Sequence, residues 1–558
     1  MKQQKTFSLV AFVLLQAVLL LSACSSEENI PASGGIAVTD AHINISVAPF
    51  ETSNSKAKTR AEGTDETKAD TVLLANGMRA ICTVEEDDEA EQTRAPKPIA
   101  DGHYTIYACD PVTGNRITGP DKLLKGTVTG GVFQSDGGTR LFLDPGTYKF
   151  VCINDAVADN GTYLSISTGI YGGSPTTYIP SAGDAQIGTA TETISGDNWQ
   201  VNFTMHHQNT RIRMHIIAYS DHMDNAWGCV YGGNKEQPMF QRYAVDGTYS
   251  SNGTTPPYGY VLSHFKMPAT STDYNATYVR AHDFYSDYMY LTPRIDIVAG
   301  DIGCVGNSRL YGKQIPGNGS QKKVNALQNH SYTVTYRILP DALYLFEDGS
   351  CGALAEKGSR TPIGIVAREK TNIQQGVAMG LHGTVQKWEA TTSPTYNGNN
   401  YTTAFANTDD ALQDENGYNW TWTSSTDVDG LVKANQQTRY PAFYWASHDP
   451  YGVGFGEWYF PGIGEIINVF DKLAKKTNVS SMYVTFGKKL DVITNAFVSA
   501  GGTDPMTYRG WSSTIYTQPS FSSPIVFYHS DDYTIVFRPQ GAQKNDLGFI
   551  KTFPFVRF

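Results

Sequence analysis

Apolar residues fall on alternate positions in several short stretches of the first two-thirds of the chain. In His42-Ile43-Asn44-Ile45-Ser46-Val47 the three aliphatic side chains share one parity, as a strand with one buried face requires. Tyr148 to Ile153 follows Asp144-Pro145-Gly146, a turn signal that opens a strand. Ile212, Met214 and Ile216 lie on one face of the next stretch with Arg211, Arg213 and His215 on the other, and Tyr332, Val334, Tyr336 and Ile338 repeat the pattern before Pro340. Long Gly-, Ser- and Thr-rich loops separate these stretches, which predicts antiparallel β-sandwiches. From about residue 341 the period changes. Ile463, Ile466, Ile467, Phe470 and Leu473 form one helical stripe, and Leu490, Ile493 and Phe497 form a second that stops at Gly501-Gly502. Strand-like segments at 525–528 and 533–537 follow, so the last part of the chain reads as an α+β domain.

The N-terminus is not part of this pattern. Lys2 and Lys5 precede an apolar run from Phe7 to Leu21, broken only by Ser8 and Gln16, which ends in Leu21-Ser22-Ala23-Cys24. That is a basic region, an apolar region and a small-residue cleavage site. The run falls short of the roughly 20 apolar residues of a membrane span. The Leu-Ser-Ala-Cys ending resembles a bacterial lipobox. The resemblance implies that residues 1–23 are removed and that Cys24 is acylated, tying the chain to the outer membrane; an ordinary secretory signal with a chance cysteine is the alternative. Ser25-Ser26-Glu27-Glu28 resembles the acidic tag that sends some lipoproteins to the cell surface, and a solvated tether has the same composition.

Charge narrows the partners. The formal net charge is −11, and removing the two signal-peptide lysines makes it more negative. Phosphate recognition demands clustered Lys and Arg, so nucleic acid is excluded as a partner. Six cysteines remain after Cys24, at 82, 109, 152, 229, 304 and 351; six allow about fifteen pairings, which stay open, and none has zinc-site spacing. Glu85-Glu86-Asp87-Asp88-Glu89 offers oxygen donors for calcium, but a self-repelling solvated loop is the commoner origin of such a run. His207 and His215 share parity with Arg211 and Arg213, which predicts solvated histidines and no metal. No His-Glu-x-x-His, Gly-x-Ser-x-Gly or Gly-x-x-x-x-Gly-Lys motif occurs, so the reading is non-enzymatic.

Several stretches together carry a resemblance: the lipobox, the early alternating strand, Thr59-Arg60-Ala61, Leu141 to Phe150, Phe203-Thr204-Met205-His206-His207 with Arg211 to Ile216, and Asn329 to Val334. In this order they resemble the fimbrillin-like (type V pilin) proteins of gut and oral bacteria, over about residues 36–340. The resemblance implies two tandem transthyretin-like β-sandwiches, placed here at 61–219 and 220–340, with a lipidated tether and removable first strand at 24–60. It further implies cutting after Arg60, before Ala61, or alternatively between Arg94 and Ala95. The strand carrying Ile43, Ile45 and Val47 would then leave, and a strand from another pilin subunit would take its place.

Residues 341–558 carry a second resemblance. Tyr344 to Gly349, Pro362 to Val366, Glu457-Trp458-Tyr459-Phe460-Pro461-Gly462-Ile463-Gly464-Glu465, Trp511-Ser512-Ser513-Thr514 and the final Phe-Val-Arg-Phe resemble a bacterial C-type-lectin-like domain, with Phe460 and Gly462 where that family usually has Leu and Ser. It implies a domain with paired N- and C-terminal strands that folds alone and binds a glycan or protein ligand. Trp420 and Trp422, taken as same-parity strand residues in a loop, are the candidate ligand platform. Calcium finds only weak support in nearby aspartates, so no cofactor is expected. The combined expectation is a surface fimbrial subunit acting as a pilus-tip adhesin. A permanently anchored binding protein is the first rival, and a surface hydrolase with a lectin-like binding domain is the second.

Overall fold

The computed structural model describes residues 35–51, 69–74, 78–87, 97–167, 170–171, 178–179, 183–196, 198–223, 226–232, 240–252, 261–292, 295–304, 309–315, 318–319, 323–390, 405–427, 429–518, 521–539 and 550–558. The fold is mainly β. The first unit is built on a ten-stranded sheet whose main path runs Ile36–Val38, Arg140–Leu143, Lys122–Thr129, Gly102–Cys109, Gly146–Asn154, Gln186–Ile194, Val201–His207, Ile43–Val47, Lys97–Pro98. Ile36–Val38 and Ile43–Val47 lie near opposite ends of that path, yet only Thr39 and a single 3-10 turn, Asp40–His42, join them. The sheet must therefore roll up so that its ends approach. Asp40 closes the roll by accepting from the backbone N–H of Ser135 at 3.1 Å. Val38, Ile43, Val47, Ile106, Leu124, Phe150 and Phe203 fill the inside. A four-stranded sheet made by 158–167 and 240–252 covers the outer face through Tyr107, Val151, Leu164, Ile166 and Tyr243.

The second unit pairs a six-stranded sheet with a five-stranded one. The six-stranded sheet contains Thr210–Ala218, Ser331–Leu339, Arg79–Glu86 and Asp70–Leu73, with His282–Tyr285 and Met289–Leu291 at its other edge. Two excursions cross the divisions drawn from the sequence. Arg79–Glu86 complete the second unit's sheet by pairing with 331–339, with Asp70–Leu73 on their outer side, and 240–244 return to the first unit by pairing with 163–167. The sandwiches are also not purely antiparallel, because Ile43–Val47 runs parallel to Val201–His207, and Thr210–Ala218 runs parallel to Ser331–Leu339. Alternation reports which side chains face inward, not which strand lies alongside or in which direction.

The third unit has a six-stranded and a seven-stranded sheet around the helices Ile463–Ala474 and Asp491–Ser499. Both helical stripes read from the sequence are buried. Three shorter helices, Thr408–Leu412, Gly417–Trp422 and Pro441–Ser447, join them. The final strand, Phe555–Arg557, does not pair with Tyr344–Phe346 as expected. It lies between Val377–Gly380 and Glu457–Tyr459 in the interior of the sheet, with Phe553 and Phe555 buried.

Candidate functional site

Residues 36–51 form a strap that finishes the first unit and then reaches the second. Ile36–Val38 covers the edge at Leu141–Leu143 and Ile43–Val47 covers the edge at Val201–Met205. Side chains reinforce the second pairing: Asn44 donates to Asn202 at 3.0 Å and the Ser46 hydroxyl donates to the Phe203 carbonyl at 3.1 Å. Val38, Ile43 and Val47 are buried and Ile45 is half-buried. Burying each such side chain stabilises the fold by about 1.5–3 kcal/mol. His42 stacks on Trp199 at 4.1 Å.

Past the strand, Pro49 breaks the alternation and turns Phe50 out of the first unit's core into the junction. Its ring is 4% exposed and stacks on the His207 imidazole at 3.7 Å. The Arg211 guanidinium lies 4.2 Å from the Phe50 ring centre and 4.0 Å from that of Tyr288, within cation–π range of both. Arg211 Nε donates to Ser331 Oγ at 2.7 Å, and the Ser331 and Tyr288 hydroxyls both donate to Asp87 Oδ2, at 2.6 and 2.9 Å. Burial, followed by the Asp87 charge, pushes the Tyr288 hydroxyl up to about 12, so it remains a donor at neutral pH. The Glu51 N–H then donates to the Asn329 carbonyl at 2.6 Å, and Asn329 Nδ2 donates back to Glu51 Oε1 at 3.1 Å. Sequence reasoning missed Phe50, because a single aromatic after Ala-Pro carries no periodic signal.

The acidic run is likewise not a solvated loop at its start. Glu85 and Glu86 end the Arg79–Glu86 strand, Glu86 pairs with His330, and Asp87 accepts from Ser331, Thr333 and Tyr288. The histidines are not solvated either: His207 pairs with Asp184 and His215 with Asp283, each at 2.7 Å, and both are 7% exposed. Among the described residues no group of three or more His, Cys, Asp or Glu side chains is placed to hold a metal ion. Cys109, Cys152 and Cys351 are buried free thiols, and burial raises all three. Cys24, Arg60, Ala61, Arg94 and Ala95 lie outside the described residues.

Trp420 and Trp422 do not form a platform. They sit on a helix, not a strand. Trp420 is 8% exposed, and its indole N–H donates to both oxygens of Asp414 at 3.0 and 2.9 Å. Trp422 is half-buried and donates to the Trp458 carbonyl at 2.8 Å. This helix is held close to the 460–465 segment through backbone approach. A Cβ at Gly417 would lie 2.4 Å from the Gly462 nitrogen, and one at Gly462 would lie 2.4 Å from the Asp414 carbonyl. Position 462 therefore carries Gly where the resembled family has Ser. At the centre of this contact Glu465 is buried, accepting from the Tyr459 hydroxyl at 2.6 Å and from the Gly462 N–H at 2.8 Å. Burial pushes its carboxyl up to about 8.

The third unit joins the second through one continuous apolar core. Leu343, Leu345, Ile363, Val366, Trp458, Val556 and Phe558 pack with Tyr219, Leu310, Tyr311, Tyr336 and Ile338. Arg337 Nη1 donates to both oxygens of Glu369, at 2.9 and 2.8 Å, and the Tyr219 hydroxyl donates to Glu369 at 2.7 Å.

The chain matches no family model and no curated protein sequence. Solved structures do resemble it. A fimbrial protein from Bacteroides ovatus is 12% identical over 95% of this chain and 100% of that one, with a TM-score of 0.27. A fimbrial assembly protein from Parabacteroides distasonis is 11% identical over 46% of this chain and 90% of that one, with a TM-score of 0.24. The fimbrial anchor protein Mfa2 from Porphyromonas gingivalis is 10% identical over 41% of this chain and 78% of that one, with a TM-score of 0.21. Likeness at this level assigns neither family nor activity.

Proposed function

We propose that this protein is a non-enzymatic cell-surface fimbrial subunit that receives a strand from another pilin subunit and presents its third unit, as a lectin-like adhesive domain, at the fibre end. The observation that carries the reading is the difference between its two terminal strands. The strap lines two sheet edges and would leave them unpaired if it departed. Unpaired N–H and C=O groups beside an apolar groove are a template for another strand. Phe555–Arg557 is paired on both sides and buries its aromatics, so this segment is unavailable to a neighbour. In this reading the chain is exported as a Cys24 lipoprotein, cut after Arg60, and carried at the tip. A glycan or protein ligand would meet the half-exposed Tyr444 ring and the exposed His448 ring, which stack at 4.1 Å.

The rival reading, a permanently anchored protein that keeps its strap, draws on the grip of Phe50 and Glu51 on the second unit. N-terminal sequencing of surface material separates the two. The fimbrial reading expects chains beginning at Ala61 and gold-labelled antibody against residues 341–558 at fibre ends only. Chains that all begin at lipidated Cys24 overturn it, and labelling along the shaft overturns the terminal position.

A further inference from the structure

We infer that Phe50 is a specificity-determining plug, so that a strand replacing residues 36–51 is accepted only if it carries an aromatic side chain three positions beyond its last inward-facing aliphatic. This inference rests on the strand-replacement reading above. The edge along Val201–Met205 is a poor discriminator, because main-chain bonding and an alternating aliphatic face suit many strands. The socket at the junction is more demanding. Its walls are the His207 ring, held by Asp184, and the Arg211 guanidinium, held by Ser331 and shared with Tyr288. Both are fixed by partners other than the strap, so the socket keeps its shape and charge when the strap leaves. A flat, electron-rich ring satisfies both walls at once, by stacking on the imidazole and by facing the cation. A small side chain would take the Phe50 ring from the guanidinium and leave a void beside it.

Spacing adds to the selection. Val47 ends the inward-facing series, Ala48 N–H still bonds the Met205 carbonyl at 2.9 Å, and Pro49 restricts the backbone before Phe50. Glu51 then re-engages Asn329 through both backbone and side chain. The occupant that fits is an extended segment of another pilin chain, aliphatic at the positions of Ile43 and Val47, aromatic at that of Phe50, and acidic at the next. A second copy of this chain does not supply it from 550–558, which is built into its own sheet.

The test uses the full chain, cut between residues 52 and 68 by an arginine-specific protease, and a fluorescent peptide of residues 36–51 that exchanges with the cut segment, read by anisotropy. The Phe50→Ala peptide should bind at least about tenfold more weakly than the unaltered peptide, equivalent to about 1.4 kcal/mol. The Phe50→Tyr peptide should stay within about twofold. In the Arg211→Gln protein the difference between the unaltered and Phe50→Ala peptides should fall below about threefold. Because the decisive change is in the peptide, misfolding of a protein variant does not confuse the result. Exchange with equal affinity for both peptides overturns the plug and leaves strand replacement standing. Failure of the unaltered peptide to exchange at all overturns both.

Discussion

The two junctions of this molecule are made of different materials. Between the first and second units the contacts are mostly hydrogen bonds and stacked cations. Asn209 Oδ1 accepts from the Ala185 N–H at 2.7 Å, Gln328 donates to Gln208 at 2.8 Å, and the Asn329 N–H donates to the Asn209 carbonyl at 3.0 Å, with Phe50 and Glu51 laid across them. Between the second and third units an apolar core runs through without a break. Water can replace a hydrogen-bond partner at small net cost, whereas it cannot replace an apolar neighbour. The first junction is therefore held mainly by contacts that water can replace, and the second holds its two units as one body.

The largest test of this contrast is excision. Residues 341–558 were expected from the sequence to fold alone, but removing the second unit uncovers Leu343, Leu345, Ile363, Val366, Trp458 and Phe558 together. The isolated segment should aggregate or elute as a soluble oligomer in gel filtration. A monomer with one cooperative calorimetric transition would break the contrast.

Point substitutions sharpen it. Trp458→Ala at the apolar junction should cost about 3–5 kcal/mol in denaturant unfolding, whereas Asn209→Ala at the polar junction should cost about 1–3 kcal/mol, chiefly through the unpaired Ala185 N–H. Equal losses would show that the two junctions are not energetically distinct.

The smallest effect is a titration. Burial raises the Glu465 carboxyl to about 8, above its ordinary value near 4.5, so the folded state keeps a proton that the unfolded chain gives up. Its contribution is complete below about pH 4.5 and is lost as pH rises through about 8. The transition containing the third unit should fall by about 3 °C or more between pH 5 and pH 8.5, and Glu465→Gln should flatten that profile. Because the second unit shares its core, it should move with the third. A first-unit transition that shifts equally would argue against separate bodies.

What was legible in the sequence was periodic. The inward faces of 212–216 and 332–338, the Ile43 and Val47 ends of the first strand, and the stripes of both long helices are buried where alternation or helical spacing put them, while Ile45 is half-buried. What was not legible was set by partners distant in sequence. Residues 79–86 carry no mark of the 331–339 strand they join, and the acidic run starting at their end looked solvated because the hydroxyl partners of Asp87 come from 244 and 246 residues away. His207 and His215 shared a face with arginines, but the aspartates that pair with them lie on other segments. Trp420 and Trp422 are two residues apart, which suits a strand face, and only the close approach of Gly417 to 460–465 reveals the helix that buries Trp420.

The placement of the strap also sets an order of events during synthesis. Ser46 bonds a residue 157 positions later, and Glu86 bonds one 244 positions later. At roughly 5–20 residues per second, Ser46 leaves the ribosome about 8–30 seconds before the Val201–Met205 edge exists, and residues 79–86 wait longer still for 331–339. The side of Ile43–Val47 that faces Val201–Met205 is thus filled late, although Lys97–Pro98 on its other side is made much sooner. Until then, Ile43, Ile45, Val47 and Phe50 lack the Val201–Met205, His207 and Arg211 neighbours that cover them, a hazard that binding to a chaperone would relieve.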